Sequence, residues 1–501
     1  SPGRYLQGWA LHPAGHSIAV TARGQTFVMG NHEGAVRPLP DEPARTRLAT
    51  WLPDGRQLAV VSDAGGEDVL VVHTVDGSAP PRRFDGPDLG RPVELAVSPD
   101  GDVAALANHR LELLAVDLAG GTLRRLDHSP DERITGLAWS PDGRWLAYTF
   151  PDSAQTSVIK LCEVASGATH RVTRPVLRDL GPAWDPGGKY LYFLSYRDFT
   201  PVYDRLHFDL GFPRGMRPYL VTLRADLDSP FQPMPPPPGA APAAADDAAG
   251  DGDGARSPGA SPPAAPRAEG DTTDSAPPTD SAPPADAPSD AAADADAPAP
   301  TPPARPPLRI DLDGIADRIV AFPVPEGTYG QVRGIDGKVL YTSLGIPGTA
   351  ADAERPAGGQ LVVWDLAERK SEVLADGVQA FDVSRDGKTM IVRVERRLRV
   401  VKAGVKPPAE GGPGRRTGWL DLDRIRVAVD PRAEWAQMFR EAWRLQRDHF
   451  WAADMAGIDW LHVYERYAPL LERVASRAEF SDLMWEMQGE LGTSHAYEYG
   501  G

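Results

Sequence analysis

Short runs of alternating apolar and polar residues fill the first four hundred positions, and the same turn punctuates them. The copies read Leu11-His12-Pro13-Ala14-Gly15, Trp51-Leu52-Pro53-Asp54-Gly55, Val97-Ser98-Pro99-Asp100-Gly101 and Trp139-Ser140-Pro141-Asp142-Gly143. They continue as Trp184-Asp185-Pro186-Gly187-Gly188, a degenerate Arg333-Gly334-Ile335-Asp336-Gly337 and Val383-Ser384-Arg385-Asp386-Gly387. Proline presets φ at the second turn position, Asp tolerates the bridge region, and the final Gly accepts a positive φ. Strand-like runs such as Gln57-Leu58-Ala59-Val60-Val61-Ser62 and Trp145-Leu146-Ala147-Tyr148-Thr149-Phe150 follow directly. A period of roughly 40–50 residues matches a four-stranded propeller blade. The expected fold is therefore mainly β: a seven-bladed β-propeller over residues 1–418. A β-sandwich with recurrent hairpins would also show such turns, but it has no need of a regular long period.

The fifth and sixth copies stand far apart. Pro233-Met234-Pro235-Pro236-Pro237-Pro238 opens a Pro/Ala/Asp/Ser tract, and the insert spans about residues 230–307. With almost no large apolar side chains it cannot offset its ordering entropy by burial. A disordered acidic linker leaving one blade is expected. Just before it, Tyr196-Arg197-Asp198-Phe199-Thr200-Pro201-Val202-Tyr203-Asp204-Arg205 is dense in aromatics and arginines. Such residues can bind ligands, but they also supply packing, and packing on their own blade is the preferred reading.

After about Thr417 the period changes from two to helical. Asp430-Pro431 is a cap with proline at the first helical position. Trp435, Met438, Phe439, Ala442 and Trp443 recur at helical spacing. Asp459 caps an expected second helix carrying Leu461, Tyr464, Leu470 and Leu471. Ser476 and Glu479 form a capping-box signature ahead of Phe480, Leu483, Met484, Met487 and Leu491, and Gly492 is placed to stop the third helix. Residues 419–501 are expected to be a small helical domain.

Composition narrows the picture. At 501 residues the chain suggests more than one domain, and its first and last residues suggest a fragment cut at both ends. Net charge is −17, but 12 acids and three arginines between 235 and 306 supply −9 of it. Neither part offers the basic face of a nucleic-acid binder, and no apolar run reaches the roughly 20 residues of a membrane helix. The single cysteine, Cys162, lies in a strand-like run and reads as a buried structural thiol.

Gly492-Thr493-Ser494-His495 carries the candidate chemistry. Histidine titrates near neutrality and serves as general base toward a serine hydroxyl, provided that a nucleophile and an orienting group flank it. Ser494 is a candidate orienter for His495. Nothing in the chain looks like the nucleophile. No His-Glu-x-x-His and no clustered cysteines suggest a metal, and no cofactor is expected.

The chain resembles the Tricorn protease family. The marks are Glu434-Trp435, Glu441-Ala442-Trp443-Arg444-Leu445, Arg447-Asp448-His449-Phe450 and Gly489 to Gly501, with Pro201-Val202-Tyr203-Asp204-Arg205 and Gly215-Met216-Arg217-Pro218-Tyr219 in the propeller. The resemblance implies a seven-bladed second propeller followed by the first core domain. The six-bladed propeller, the PDZ domain and the second core domain would lie outside this chain. It implies a cytoplasmic serine peptidase acting on oligopeptides, assembled as a homo-oligomer (a hexamer). His495 matches the catalytic histidine and Ser494 the serine that steadies it. The nucleophilic serine and a glutamate would come from the second core domain, so the chain alone is expected to be inactive. The propeller would serve as a substrate channel or filter.

Two other readings compete. A non-catalytic, TolB-like propeller scaffold binding a protein or peptide fits the turns equally well and the helical tail poorly. A prolyl-oligopeptidase-like enzyme needs a Gly-x-Ser-x-Gly elbow, and none occurs.

Overall fold

The computed structural model describes every residue except 1, 40–43, 199–200, 205–208, 212–214, 232–306, 345–357, 409–410, 495 and 499–501. Five four-stranded antiparallel sheets follow one another along the chain. The first pairs Leu6–Leu11, Ser17–Ala22, Gln25–Gly30 and Arg37–Pro38 in that order. The next three begin on Thr46–Trp51, Pro92–Val97 and Thr135–Trp139. The fifth pairs Asp179–Trp184, Tyr190–Ser195, Arg217–Thr222 and Ile319–Ala321. In each, the first strand packs against the first strand of the next sheet, so these strands surround the centre of a propeller.

The recurring turn behaves as its residues dictate. Gly15, Gly55, Gly101, Gly143, Gly188, Gly337 and Gly387 all sit at φ between 66° and 86°. Where the motif carries Ser and Asp, the serine hydroxyl donates to the aspartate, as in Ser140 to Asp142 and Ser384 to Asp386, both at 2.6 Å. The same hydroxyl accepts the backbone N–H beyond the turn, from Trp145 at 2.9 Å and Thr389 at 3.0 Å. The motif tryptophans bind sheet to sheet. The indole N–H groups of Trp51, Trp139 and Trp184 donate to the carbonyls of Ala10, Ala96 and Ala138 in the preceding sheet, at 3.0, 3.1 and 2.9 Å.

The blade count differs from expectation: among the described residues six blade sheets form, not seven, beside a two-stranded ribbon of Val202–Asp204 and Asp209–Gly211. The last sheet has six strands, from Thr328–Ile335 to Arg397–Lys402. Its fourth strand, Lys370–Val383, is 14 residues long. Its first part pairs with Gly359–Asp365 and its end pairs with Thr389–Val394, with Val378 opposite both Gly359 and Val394. The chain bends at Gly377, φ 68°, without leaving the ladder. The last two turn repeats therefore share one sheet. The ring closes where Leu11, Ile18, Val20 and Phe27 of the first sheet pack on Ile391, Leu398 and Val400 of the last.

The acidic tract lies outside the described residues, but its flanks are clear. Arg217–Thr222 and Ile319–Ala321 are neighbours, with Tyr219 opposite Ala321. The insertion thus falls between the third and outer strands of the fifth sheet. The aromatic excursion leaves the same sheet between its second and third strands. There Arg197 binds Asp179 at 2.7 Å and lies over the rings of Phe193 and Tyr219, a packing role. Cys162 is buried in Ser157–Glu163, and burial pushes its pKa up to about 11. It is an inert core thiol.

Three helices follow: α1 (Pro431–His449), α2 (Trp460–Tyr467) and α3 (Arg477–Gly489). Asp430, Asp459 and Ser476 cap them as their positions require. Phe439, Trp460, Val463, Tyr467, Phe480, Leu483, Met484 and Met487 form one core. Three expected stripe residues face outward: Met438, Leu461 and Leu470 are exposed. α2 buries Trp460 and Val463 instead, and it ends before Pro469, so Leu470 and Leu471 lie in a 3-10 stretch, Ala468–Arg473. Among the described residues no helix is long and apolar enough to cross a membrane.

Candidate active site

The start of α3 is fixed by a reciprocal cap. The Ser476 hydroxyl accepts from Glu479 N at 3.3 Å, and the Glu479 carboxylate accepts from Ser476 N at 3.2 Å and Ala475 N at 2.7 Å. Its far end is fixed from α2. Tyr467 Oη donates to Glu490 at 2.7 Å and Arg466 adds a pair at 2.9 Å. α1 and α2 are tied by two tryptophans, each donating its indole N–H to the other's carbonyl: Trp443 to Trp460 at 2.7 Å and Trp460 to Trp443 at 2.9 Å.

Beyond α3, Gly492 takes φ 61° and the chain turns sharply. Ser494 is exposed in the bend that follows. His495 lies outside the described residues, so the geometry of the Ser494–His495 pair is not described. The residues after it return along α3. The Tyr497 ring meets Trp485 edge-on at 6.3 Å, and Glu498 pairs with Arg477 near the helix start. Arg477 also donates to Ser481 at 2.6 Å. The residues after position 495 are thus held against α3. Among the described residues no group of three or more His, Cys, Asp or Glu side chains could hold a metal.

α1 seats this helical part on the propeller face opposite the Asp-Gly turns. Glu434 accepts from Arg23 at 2.5 Å, and Gln437 donates to Asp63 at 2.9 Å. Glu441 pairs with Arg45 at 2.5 Å and with Arg91, and lies 3.5 Å from Arg444. Arg444 is buried and lies 3.2 Å from buried Asp68, which also binds Arg47. Arg447 grips Glu67 at 2.7 and 2.9 Å. Burial alone would raise the pKa of Glu441, but the bond from Arg91 and the charges of Arg91, Arg45 and Arg444 outweigh it and hold the carboxyl below its ordinary range. Glu67 is lowered as well, chiefly by the bond from Arg447. The rings of His109 and His449 meet edge-on at 5.5 Å. His109 Nδ1 accepts from Arg91 N at 2.9 Å, and burial lowers the pKa of both histidines.

The sequence reading named Glu441, Arg444 and Arg447 without giving them a role. A signal was there: polar or charged residues at 434, 437, 441, 444 and 448 follow helical spacing opposite the apolar stripe. Their partners, which begin at Arg23 and Arg45, are hundreds of residues away, and no local pattern points to them.

The model of the Tricorn protease second β-propeller domain matches residues 6–404, and that of the Tricorn protease C1 domain matches residues 431–489. The chain belongs to the Tricorn protease family. Tricorn protease homolog 1 of Streptomyces coelicolor is 37% identical over 96% of the chain, which covers 41% of that relative. A Tricorn-like protease C-terminal subunit of Sulfurisphaera tokodaii is 33% identical over 96% of the chain, which covers 47% of it. The crystal structure of the tricorn protease matches the whole chain with a TM-score of 0.77 at 22% identity, and the chain covers 42% of that structure. This last likeness is one of fold. The chain spans less than half the length of these Tricorn relatives.

Proposed function

We propose that this chain is the propeller and first core part of a Tricorn-like serine peptidase that degrades oligopeptides in the cytoplasm. Its membership of the family carries the proposal. The contacts of Tyr497 and Glu498 with α3 support it, because a general base needs a fixed direction of approach.

In this reading His495 takes the proton from a serine hydroxyl as the oxygen attacks a peptide carbonyl. It then returns that proton to the leaving amine. Ser494 restricts the orientation of the imidazole. The nucleophilic serine, a glutamate and the oxyanion-hole donors come from a second core domain, joined through a PDZ domain. The propeller filters substrates, admitting extended peptides through its centre and excluding folded chains. Subunits assemble as a homo-oligomer, a hexamer by family likeness. Residues 1–418 serve as the propeller and 419–501 as the core part, with the acidic insert as a solvated linker.

A fluorophosphonate probe reports an activated serine directly. The chain by itself should remain unlabelled and should not hydrolyse a fluorogenic peptide. Labelling or hydrolysis that His495→Ala removes from the isolated chain would contradict the assignment of the nucleophile to another domain.

A further inference from the structure

α1 has two dissimilar faces. Its apolar face, with Trp435, Phe439, Ala442 and Trp443, belongs to the helical core. Its other face meets the propeller, and the side-chain bonds described there are polar: Arg23–Glu434, Asp63–Gln437, Arg45–Glu441, Arg91–Glu441, Asp68–Arg444 and Glu67–Arg447. Among the described residues the apolar cluster of α1–α3 draws every member from residues 435–491, whereas blade clusters such as that of Ala59, Val61, Leu106 and Leu114 span neighbouring sheets. The apolar packing that continues from the blades ends with Leu420, Leu422, Ile425 and Val427, ahead of α1. Buried Arg444 Nε has no hydrogen-bond partner, so the centre of this interface is not fully satisfied.

We infer that the helical part sits on the propeller through a charge-based seat that opens and closes as a unit, with Glu441 as its keystone. Two separate cores joined by ion pairs can part without either core unfolding. Desolvated ion pairs add little net attraction beyond what their burial costs, yet losing one partner strands the others. Glu441 faces Arg45, Arg91 and Arg444 together. Neutralising it removes the carboxylate that these three arginines share, while Arg444 keeps Asp68. Opening would carry the bend at Ser494 away from the propeller face. That consequence rests on the function proposed above, whereas the seat itself does not.

Spin labels on the full chain, one at the exposed Ser78 turn and one at exposed Glu472, measure the separation of the two parts. The unaltered protein should give one narrow distance at low salt. Glu441→Gln should raise the open population by about tenfold or more, and adding Arg91→Gln should restore much of the closed state by removing an unpaired cation. Raising the salt of the unaltered protein to about 1 M should also broaden the distribution, through the partly exposed Arg23–Glu434 and Arg447–Glu67 pairs. That arm stands even if a variant folds poorly. A single unchanged distance for Glu441→Gln, strictly additive effects in the double variant, or no response to salt would each overturn the seat. If the distance responds while His495→Ala leaves the complete peptidase, with its second core domain, fully active, the function fails and the seat survives.

Discussion

His12 shows how one side chain sets a pH response. It stands where other turns carry Leu, Ser, Asp or Gly, and it is buried between the first two sheets. Its Nδ1 accepts from Ala14 N at 3.0 Å, which leaves Nε2–H to donate to the Gly55 carbonyl at 3.0 Å. Only the neutral ring can do both. Burial, then His16, lowers its pKa below the usual 6.5, against weaker opposing effects from Asp54 and Asp386. A lowered folded-state pKa means that stability is complete above pH 6.5 and is lost as pH falls from there through the folded value. Tm should therefore drop between pH 7.5 and pH 5. His12→Asn can keep the Ala14 bond without titrating, so its drop should be smaller; an identical drop would remove His12 as a cause. Glycine positions allow a paired test. A Cβ at Gly15 would lie 2.4 Å from Thr389 Oγ1, whereas one at Gly387 meets nothing within 4 Å. Gly387→Ala should cost about 1 kcal/mol, from positive φ alone, and Gly15→Ala should cost clearly more in urea unfolding.

Elements were legible in proportion to how local their causes are. The Pro-Asp-Gly turns and the caps at Asp430, Asp459 and Ser476 each depend on residues within a few positions, and each stands where the pattern put it, whereas α3 ends at Gly489, short of the expected stop at Gly492. The blade count was not legible, because whether Lys370–Val383 breaks or continues depends on pairing with strands on both sides. The outward turn of Leu461 follows from tertiary packing that favours Trp460 and Val463. The tryptophan bonds between sheets suggest an element-scale test. Trp139→Phe keeps the ring but strands the Ala96 carbonyl, and should cost about 1–2 kcal/mol. Ser476→Ala should cost the helical part about 1 kcal/mol by removing the cap of α3. Both are read from shifts in denaturation midpoint, and no shift would show that the bond is replaced by water.

At the scale of the whole molecule, α1–α3 share an apolar core of their own, and α1 meets the propeller through charged and polar side chains. Ser494 and His495 were named from a local sequence pattern, and His495 lies outside the described residues. The bend at Ser494 follows α3, α3 packs in the shared helical core, and α1 of that core meets Arg45, Asp68 and Arg91. Such couplings span most of the chain length and leave no trace in any short window. The central claim is that His495 supplies the base of a serine peptidase whose other groups lie in another domain. The most direct measurement is peptide hydrolysis by the complete peptidase carrying His495→Ala, with fluorophosphonate labelling alongside. We expect a loss on the order of 10⁴-fold with labelling abolished, and a smaller loss for Ser494→Ala. Near-normal turnover with His495→Ala in a correctly folded enzyme would contradict the claim.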